Sequence, residues 1–192
     1  MNERVIFIGA GGHAKVVYET ARLLGMQCFG YVDDKAQEFY GLNKISESEL
    51  GDYKDHASLI LSFGAVTVES LIRRKKIFLE YINKGFAFAS IINPKTYISD
   101  TAKISDGALI VASSTLNADS QIGSNAIINT GAIIEHDVVI GHSSHICPGA
   151  IILGGARVGE SCLIGAGAVV LPNAVVPDGY LVPANTRFQV SR

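Results

Sequence analysis

A six-residue repeat in the second half of the chain is the feature that most restricts its fold. From residue 98 onward every sixth residue is bulky and apolar, without insertion, for sixteen consecutive positions. These positions are Ile98, Ile104, Ile110, Leu116, Ile122, Ile128, Ile134, Ile140, Ile146, Ile152, Val158, Ile164, Val170, Val176, Val182 and Phe188. A fixed period of this kind is typical of a solenoid, in which each repeat buries its apolar residues only by stacking on its neighbours.

Two further registers of the hexad indicate how the chain turns. Four residues beyond each aliphatic residue the side chain is mostly small, as at Ala102, Ala126 and Ala150. Three residues beyond it, every position from Thr101 to Asn185 is Gly, Asn, Asp, Ser or Thr, a set that suits a left-handed backbone conformation at a corner. We therefore predict a triangular prism of short parallel strands, with three hexads to a coil. Its about five coils would stand roughly 24 Å tall at ~4.8 Å per stacked strand.

The first 96 residues follow a different pattern, in which strands alternate with helices. Strands are expected at Val5–Ile8, Cys28–Val32, Ala57–Phe63 and Phe86–Ile92, and helices after the first strand to about Leu24 and over Val68–Asn83, the latter with a charged face around Arg73–Lys76. This alternation predicts a small parallel sheet, a truncated Rossmann-like unit. The predicted fold class is therefore mixed, with a Rossmann-like α/β domain over residues 1–93 and a parallel β-helix domain over residues 94–192.

The turn after the first strand has the pattern of a phosphate-binding loop. Residues 9–14, Gly-Ala-Gly-Gly-His-Ala, match G-x-G-x-x-G/A, and Asp33 ends the second strand about twenty residues on. Backbone amides at a helix N-terminus bind pyrophosphate, and a carboxylate at this position can bind a ribose hydroxyl. Because only about four strands are expected, one mononucleotide half is present, which favours UDP or dTDP over NAD. A merely tight turn is the alternative.

Three histidines fall within ten residues of the repeat region: His136, His142 and His145. His136 lies two residues past an inward aliphatic residue, on an outer corner of the prism, and Gly154 occupies the same corner one coil later. An imidazole stacked beside a bare glycine leaves a groove that suits a thin thioester arm. Asp137 occupies the turn register, so it is either a turn former or a functional partner of the histidine.

The composition excludes several classes of function. The formal net charge is −2 and no basic stripe is present, so nucleic acid is not expected as a partner. The three cysteines are scattered, and the apolar run Val5–Ile8 is too short for a signal peptide or a membrane span. A cytoplasmic protein without membrane insertion is the expectation.

Taken together, these motifs resemble those of one enzyme family. The Gly-Gly-His turn at residues 11–13, the Asp33-Asp34 pair and the segment from Asn129 through His136 to His145 resemble the nucleotide-sugar acetyltransferases of the hexapeptide-repeat, left-handed β-helix class. That family is typified by the UDP-4-amino-sugar N-acetyltransferase of bacillosamine synthesis, and sialic-acid O-acetyltransferases share its layout. The resemblance implies left-handed coils, acetyl-coenzyme A as co-substrate and a homotrimer with active sites between subunits.

The resemblance also assigns roles to individual residues. It implies that His136 is the general base and that Asp137 supports it, with no metal required. Contacts to acetyl-coenzyme A are implied at His145, Gly154 and Ala166. Contacts to the nucleotide sugar are implied at Gly11, Gly12, His13, Asp33, Asp34 and Gly64. The implied reaction moves acetyl to the amino group of a UDP- or dTDP-linked 4-amino-4,6-dideoxy sugar, for bacterial surface glycan or glycoprotein synthesis.

Three alternatives stay open at this point. A sialic-acid O-acetyltransferase would share every motif. A zinc enzyme resembling the γ-class carbonic anhydrases would use the clustered histidines, although their spacings of six and three residues differ from the H-x4-H pair of that class. A non-catalytic β-helix carrying a nucleotide sensor is the third. The trimer is also favoured by outward-facing registers of the repeat, which place Ile127, Ile133, Val139 and Ile151 on the surface of the prism.

Overall fold

The computed structural model describes residues 3–189, so residues 1 and 192, the outer ends of the two predicted domains, lie outside the described part. The N-terminal elements are β1 (Arg4–Ile8), α1 (Gly12–Leu23), β2 (Gln27–Val32), β3 (Asn43–Lys44), a 3-10 turn (Leu50–Tyr53), β4 (Ser58–Leu61) and α2 (Val68–Asn83). The strands form one parallel sheet in the order β3-β2-β1-β4. The predicted Rossmann-like unit is therefore confirmed, and it is built around β1, whose residues 5–8 are all buried.

The predicted fourth strand is wrong. The fourth strand of the sheet is β3, at the edge beside β2, and Phe86–Ile92 contributes only one bridge, between Phe88 and Leu59 of the other edge strand, β4. Its last two residues form β5 (Ile91–Ile92), which pairs with a strand of the prism. Buried apolar residues of this segment pass from the sheet core to the prism, because Phe86 and Phe88 pack in the first and Ile91 lies at the junction. An apolar run alone does not show where one core ends.

The prism consists of seventeen two-residue strands at six-residue intervals, one hexad more than predicted. They are β5 (Ile91–Ile92), β6 (Tyr97–Ile98), β7 (Lys103–Ile104), β8 (Leu109–Ile110), β9 (Thr115–Leu116), β10 (Gln121–Ile122), β11 (Ile127–Ile128), β12 (Ile133–Ile134), β13 (Val139–Ile140), β14 (His145–Ile146), β15 (Ile151–Ile152), β16 (Arg157–Val158), β17 (Leu163–Ile164), β18 (Val169–Val170), β19 (Val175–Val176), β20 (Leu181–Val182) and β21 (Arg187–Phe188). The second residue of each pair forms the continuous interior core. The fold is a parallel β-solenoid of the left-handed β-helix type.

Every third strand joins the same flat parallel sheet, so the prism has three faces. The first face contains β5, β8, β11, β14, β17 and β20; the second contains β6, β9, β12, β15, β18 and β21; the third contains β7, β10, β13, β16 and β19. The chain turns from the first face to the second at the first corner, from the second to the third at the second corner, and back to the first at the third corner. Residues 18 apart therefore stack in columns.

The corners have the backbone conformation that the turn register predicts. From Gly107 to Asn185 every sixth residue has a φ between 52° and 72°, and eight of these residues are Asn, Asp or Ser rather than glycine. Side chains that hydrogen-bond locally tolerate this left-handed region better than others. The expectation of a regular left-handed corner is confirmed for these positions.

The N-terminal domain covers the first face of the prism. The outward residues of that face are buried from β5 to β17: Ile91, Leu109, Ile127, His145 and Leu163. Helix α2 packs Leu71 against Leu163, and Lys75 forms an ion pair with Glu160. The predicted domain division at residues 93 and 94 stays a prediction, since β5 already pairs within the prism.

The outward aliphatic residues thought to favour a trimer lie on three different faces. Ile127 is buried on the first face by the chain's own N-terminal domain. Ile133 and Ile151 are half-buried on the second face, and Val139 is half-buried on the third. The second face is thus the apolar surface that a single chain leaves open. Among the described residues, neither helix combines the length and the apolar character that a membrane crossing requires.

Candidate active site

The second corner of the prism carries a histidine paired with a carboxylate. His136 follows β12, and Asp137 turns the chain with a φ of 61°. The two side chains are hydrogen-bonded, with 2.8 Å between His136 Nδ1 and Asp137 Oδ2. This hydrogen bond raises the pKa of the exposed His136 imidazole. Asp137 therefore fits both predicted interpretations at once, because it forms the turn and its carboxylate contacts the imidazole.

The other imidazole nitrogen faces the next coil. When Nδ1–H donates to the carboxylate, Nε2 keeps the lone pair. A Cβ added to Gly154 would lie 2.6 Å from His136 Nε2, so the imidazole keeps this position only beside a glycine. Both residues line a cleft of about 450 Å³ that also includes Leu153, Pro172 and Asn173. The stacking of His136 on Gly154 is therefore as the hexad register predicts.

One neighbour of this corner was not singled out from the sequence. Glu135 accepts a hydrogen bond from Asn117 Nδ2 at 3.0 Å, and it lines the same cleft. Asn117 precedes Glu135 by 18 residues, so the spacing of one coil is the signal that could have found the pair. The contact holds the segment that leads into His136.

The predicted coenzyme contacts do not meet in a single chain. His145 lies on the first face and is 5% exposed. Its Nδ1–H donates to the Ala65 carbonyl at 2.7 Å, and its Nε2 accepts from Asn129 Nδ2 at 3.0 Å. Burial lowers the pKa of His145, so both ring nitrogens are engaged in a neutral imidazole. Ala166 is exposed at the first corner, whereas Gly154 lies at the second.

The three clustered histidines point to three different places. His142 is exposed at the third corner, where its Nδ1 accepts from the Ser124 amide at 3.0 Å. His136 lies at the second corner, and His145 is buried on the first face. Within residues 3–189 no set of three or more His, Cys, Asp or Glu side chains is grouped so that it could hold a metal ion.

A second cleft lies at the carboxyl ends of the parallel strands of the N-terminal sheet. Its volume is about 480 Å³, and Gly9, Asp33, Asp34, Gly64 and Arg73 are among its lining residues. Ligands of open α/β sheets bind at this edge. Three of the predicted sugar contacts thus share the cleft. The other three, Gly11, Gly12 and His13, are at the start of α1, whose N-cap Gly11 provides no side-chain cap.

The two tandem aspartates have different environments. Asp33 accepts three backbone hydrogen bonds of 2.8 Å, from Ala10 to one oxygen and from Lys35 and Ala36 to the other. Burial alone would raise the pKa of Asp33, but these amides and Lys44 outweigh it and lower the pKa. Asp33 thus closes the glycine turn onto the end of β2. Within residues 3–189 Asp34 accepts no such bonds, and it lies exposed in the lining of the cleft.

The loop Phe63–Ala65 forms a wall of this cleft and rests on a buried polar cluster. A Cβ on Gly64 would lie 3.2 Å from His13 Cβ. Burial, with help from Arg74, lowers the pKa of His13 to about 4. Arg74 is 0% exposed, which corrects the predicted charged face around residues 73–76. The signal lies in the stripe Leu71, Arg74, Phe78 and Tyr81, all buried at helical spacing.

The chain joins a left-handed β-helix, with a histidine cleft at one corner, to a Rossmann-like domain with a nucleotide-sized cleft. This combination defines a hexapeptide-repeat acyltransferase. The PglD N-terminal domain family matches residues 4–78. A histidine-to-asparagine mutant of perosamine N-acetyltransferase from Caulobacter crescentus, in complex with CoA and GDP-perosamine, is 31% identical with a TM-score of 0.90, covering 97% of this chain and 89% of that one. The chain belongs to the family of acetyl-coenzyme A-dependent nucleotide-sugar N-acetyltransferases.

Two further structures are similar to this chain. The acetyltransferase domain of PglB from Neisseria gonorrhoeae, in complex with acetyl coenzyme A, is 29% identical with a TM-score of 0.89, covering 100% of this chain and 92% of that one. WeeI from Acinetobacter baumannii, at 20% identity and a TM-score of 0.62 over 96% of this chain and 98% of that one, shares the fold. Comparison with curated protein sequences gives no match.

Proposed function

We propose that the protein transfers acetyl from acetyl-coenzyme A to the amine of a 4-amino-4,6-dideoxy sugar linked to UDP or dTDP. The product would serve the synthesis of a bacterial surface glycan or glycoprotein. The observation that carries the proposal is the His136 imidazole, hydrogen-bonded to Asp137 on one side and open on the other to the cleft at Gly154. This is the arrangement that a general base needs beside a thioester.

In the proposed reaction Asp137 holds the Nδ1–H tautomer of His136, so that Nε2 accepts the proton. The sugar amine attacks the thioester carbonyl while Nε2 removes one of its protons, forming a tetrahedral intermediate. Collapse of that intermediate breaks the carbon–sulfur bond, and the proton on His136 passes to the departing thiolate. General-base assistance of this kind contributes about 10²–10⁴ in rate. Holding the two substrates in line supplies much of the remainder.

Acetyl-coenzyme A would occupy the second-corner cleft, with its thioester over Gly154. Ala166 and His145 were expected to join it, yet Ala166 lies at another corner and His145 is buried. We therefore infer that a neighbouring subunit completes the site. The open second face, with Tyr97 61% exposed beside the half-buried Ile133 and Ile151, is the surface that a neighbour would cover. We propose a homotrimer of about three times 20.4 kDa, the assembly that the family resemblance implies.

The nucleotide sugar would occupy the N-terminal cleft. The N–H groups at the start of α1 would bind the pyrophosphate, because a helix N-terminus concentrates N–H donors and positive potential. Asp34 and Gly64 supply further polar contacts in the cleft. A GDP-linked sugar is the second candidate, favoured by the GDP-perosamine bound to the Caulobacter relative.

A thiol-release assay with acetyl-coenzyme A tests this function. The acceptors are UDP-, dTDP- and GDP-linked 4-amino-4,6-dideoxy sugars, with a sialic acid as the O-acetylation control. Turnover with one of the amino sugars is expected. Turnover with sialic acid alone would replace the proposal by the O-acetyltransferase, and turnover with neither would leave the non-catalytic scaffold. Metal analysis of the purified protein tests the zinc alternative in the same preparation.

A further inference from the structure

The loop Phe63–Ala65 is held from three separate parts of the fold. Arg74 of α2 donates from Nη1 to the Phe63 carbonyl at 2.6 Å. His145 of β14 donates to the Ala65 carbonyl at 2.7 Å. His13 of α1 packs beneath Gly64, since a Cβ added to Gly64 would lie 3.2 Å from the Cβ of His13. A loop that lines a ligand cleft is thus fixed at both ends by hydrogen bonds and in the middle by packing.

Burial of the Arg74 side chain at this position is energetically unfavourable. Its side chain is 0% exposed, and among the described residues it forms no salt bridge with a carboxylate. Nε and Nη2 contact no acceptor within residues 3–189, and burial lowers the pKa of the guanidinium to about 9. The guanidinium lies over the Phe63 ring, 5.4 Å from its centroid, and this contact again involves the loop. A buried cation without a carboxylate partner destabilises a fold, and an apolar side chain of similar volume often replaces it without loss. Packing of α2 therefore does not account for an arginine.

The contact to Phe63 has a geometric consequence for Gly64. The peptide between them is trans, since the described chain contains no cis peptide, so the Gly64 N–H points away from the Phe63 carbonyl. Because Arg74 fixes that carbonyl on the protein side, the Gly64 amide is turned the other way. This amide donates to no other group among the described residues, and both Phe63 and Gly64 line the cleft.

We propose that Arg74 is a positioning residue for the nucleotide sugar: it fixes the Phe63–Gly64 peptide so that the Gly64 amide donates to the ligand in the cleft. His145 fixes the other end of the loop to the prism. The inference rests on the proposed function for the identity of the ligand. It assigns to the buried face of α2 a part in substrate binding, beside residues of the same helix such as Arg73 that line the cleft directly.

The test compares Arg74→Met with Arg74→Lys, which keeps one donor, and with Lys76→Met, which removes an exposed cation from the same helix. The proposal predicts a KM for the nucleotide sugar that rises roughly tenfold in Arg74→Met, equivalent to about 1.4 kcal/mol. The KM for acetyl-coenzyme A stays unchanged, and the melting temperature does not fall. Arg74→Lys recovers part of the loss, and Lys76→Met behaves as wild type.

Titration calorimetry with UDP, dTDP and GDP gives a second measurement that needs no turnover. Weaker binding of the nucleotide that the wild type prefers is expected in Arg74→Met. If Arg74→Met unfolds, or if both KM values and the melting temperature change together, Arg74 is a structural residue and the proposal fails. Unchanged sugar KM and nucleotide binding would also overturn it. A wild type without turnover would instead refute the proposed function, while its nucleotide binding still decides the role of Arg74.

Discussion

His136 and His145 are nine residues apart in the chain, yet the fold gives them opposite chemistry. His136 is exposed, and its hydrogen bond to Asp137 raises its pKa. His145 is buried, and desolvation lowers its pKa. The difference follows from the hexad register, because His136 lies two residues after an inward aliphatic residue and His145 one residue before one. The first position is a corner and the second an outward position on a face, here the face that the N-terminal domain covers.

A side chain at an exposed corner of the prism is thus available to react, whereas a side chain on a covered face is held in place by its contacts. The exposed imidazole keeps a free nitrogen toward a cleft. The buried imidazole uses both nitrogens, for Ala65 and for Asn129. Removing the exposed imidazole should therefore slow acetyl transfer. Removing the buried imidazole should instead disturb the alignment of the two domains.

The largest effect is expected from His136→Ala. Turnover should fall about 10²-fold or more, as when a general base is removed, while the fold and the oligomeric state stay unchanged. His142→Ala is the matched control, since His142 is an exposed corner histidine whose imidazole forms a side-chain hydrogen bond with Ser124. Steady-state thiol release measures both. Equal loss in the two variants would contradict the distinction between the corners.

Gly154→Ala should have the next largest effect. The added methyl group would lie 2.6 Å from His136 Nε2, so the imidazole must move out of line with the thioester. A loss of roughly 10- to 100-fold in kcat/KM for acetyl-coenzyme A is expected from such a displacement. Gly51→Ala, where an added Cβ meets nothing within 4 Å, is the control. A wild-type rate in Gly154→Ala would show that the thioester does not approach this corner.

Asp34→Ala and Asp33→Ala should separate binding from stability. Asp34→Ala is expected to raise the KM for the nucleotide sugar about tenfold, the usual scale for a lost hydrogen bond to a charged group, at an unchanged melting temperature. Asp33→Ala removes the acceptor of three backbone amides. It should lower the free energy of unfolding by about 1 kcal/mol after allowance for solvent screening. Thermal unfolding and KM measurements on both variants separate the two roles. A raised KM only in Asp33→Ala together with a lower stability only in Asp34→Ala would contradict them.

Asp137→Asn is expected to have the smallest effect. Asparagine accepts the left-handed corner, as at Asn125 and Asn173, so stability should hold. Loss of the carboxylate lowers the pKa of His136, because that carboxylate is what raises it. The base must be deprotonated to act, so the acidic limb of the pH–rate profile should move to lower pH, and turnover should fall several-fold. An unchanged rate and pH profile would leave His136 acting without Asp137.

The prism and its reactive corner were predictable because both depend on local periodicity. The hexad register alone places Ile134 inside, His136 outside and Gly154 beside it. The buried cluster was not predictable in this way, because nothing within a hexad shows which of three faces another domain will cover. The family resemblance implied a coenzyme contact for His145, and the hexad register alone did not show that the N-terminal domain covers this residue. Arg74 was obscured by its charged neighbours, although its spacing from Leu71 and Phe78 marks it as a core position.

The proposed reaction is acetylation of an amine with His136 as the general base. The most direct measurement is the structure of the product, obtained by mass spectrometry and NMR after incubation of the protein with acetyl-coenzyme A and the nucleotide-linked 4-amino sugar. We expect one added acetyl group, on the amino nitrogen at C4, and almost none with His136→Ala. An acetyl group on a hydroxyl, or an equal yield from His136→Ala, would contradict it.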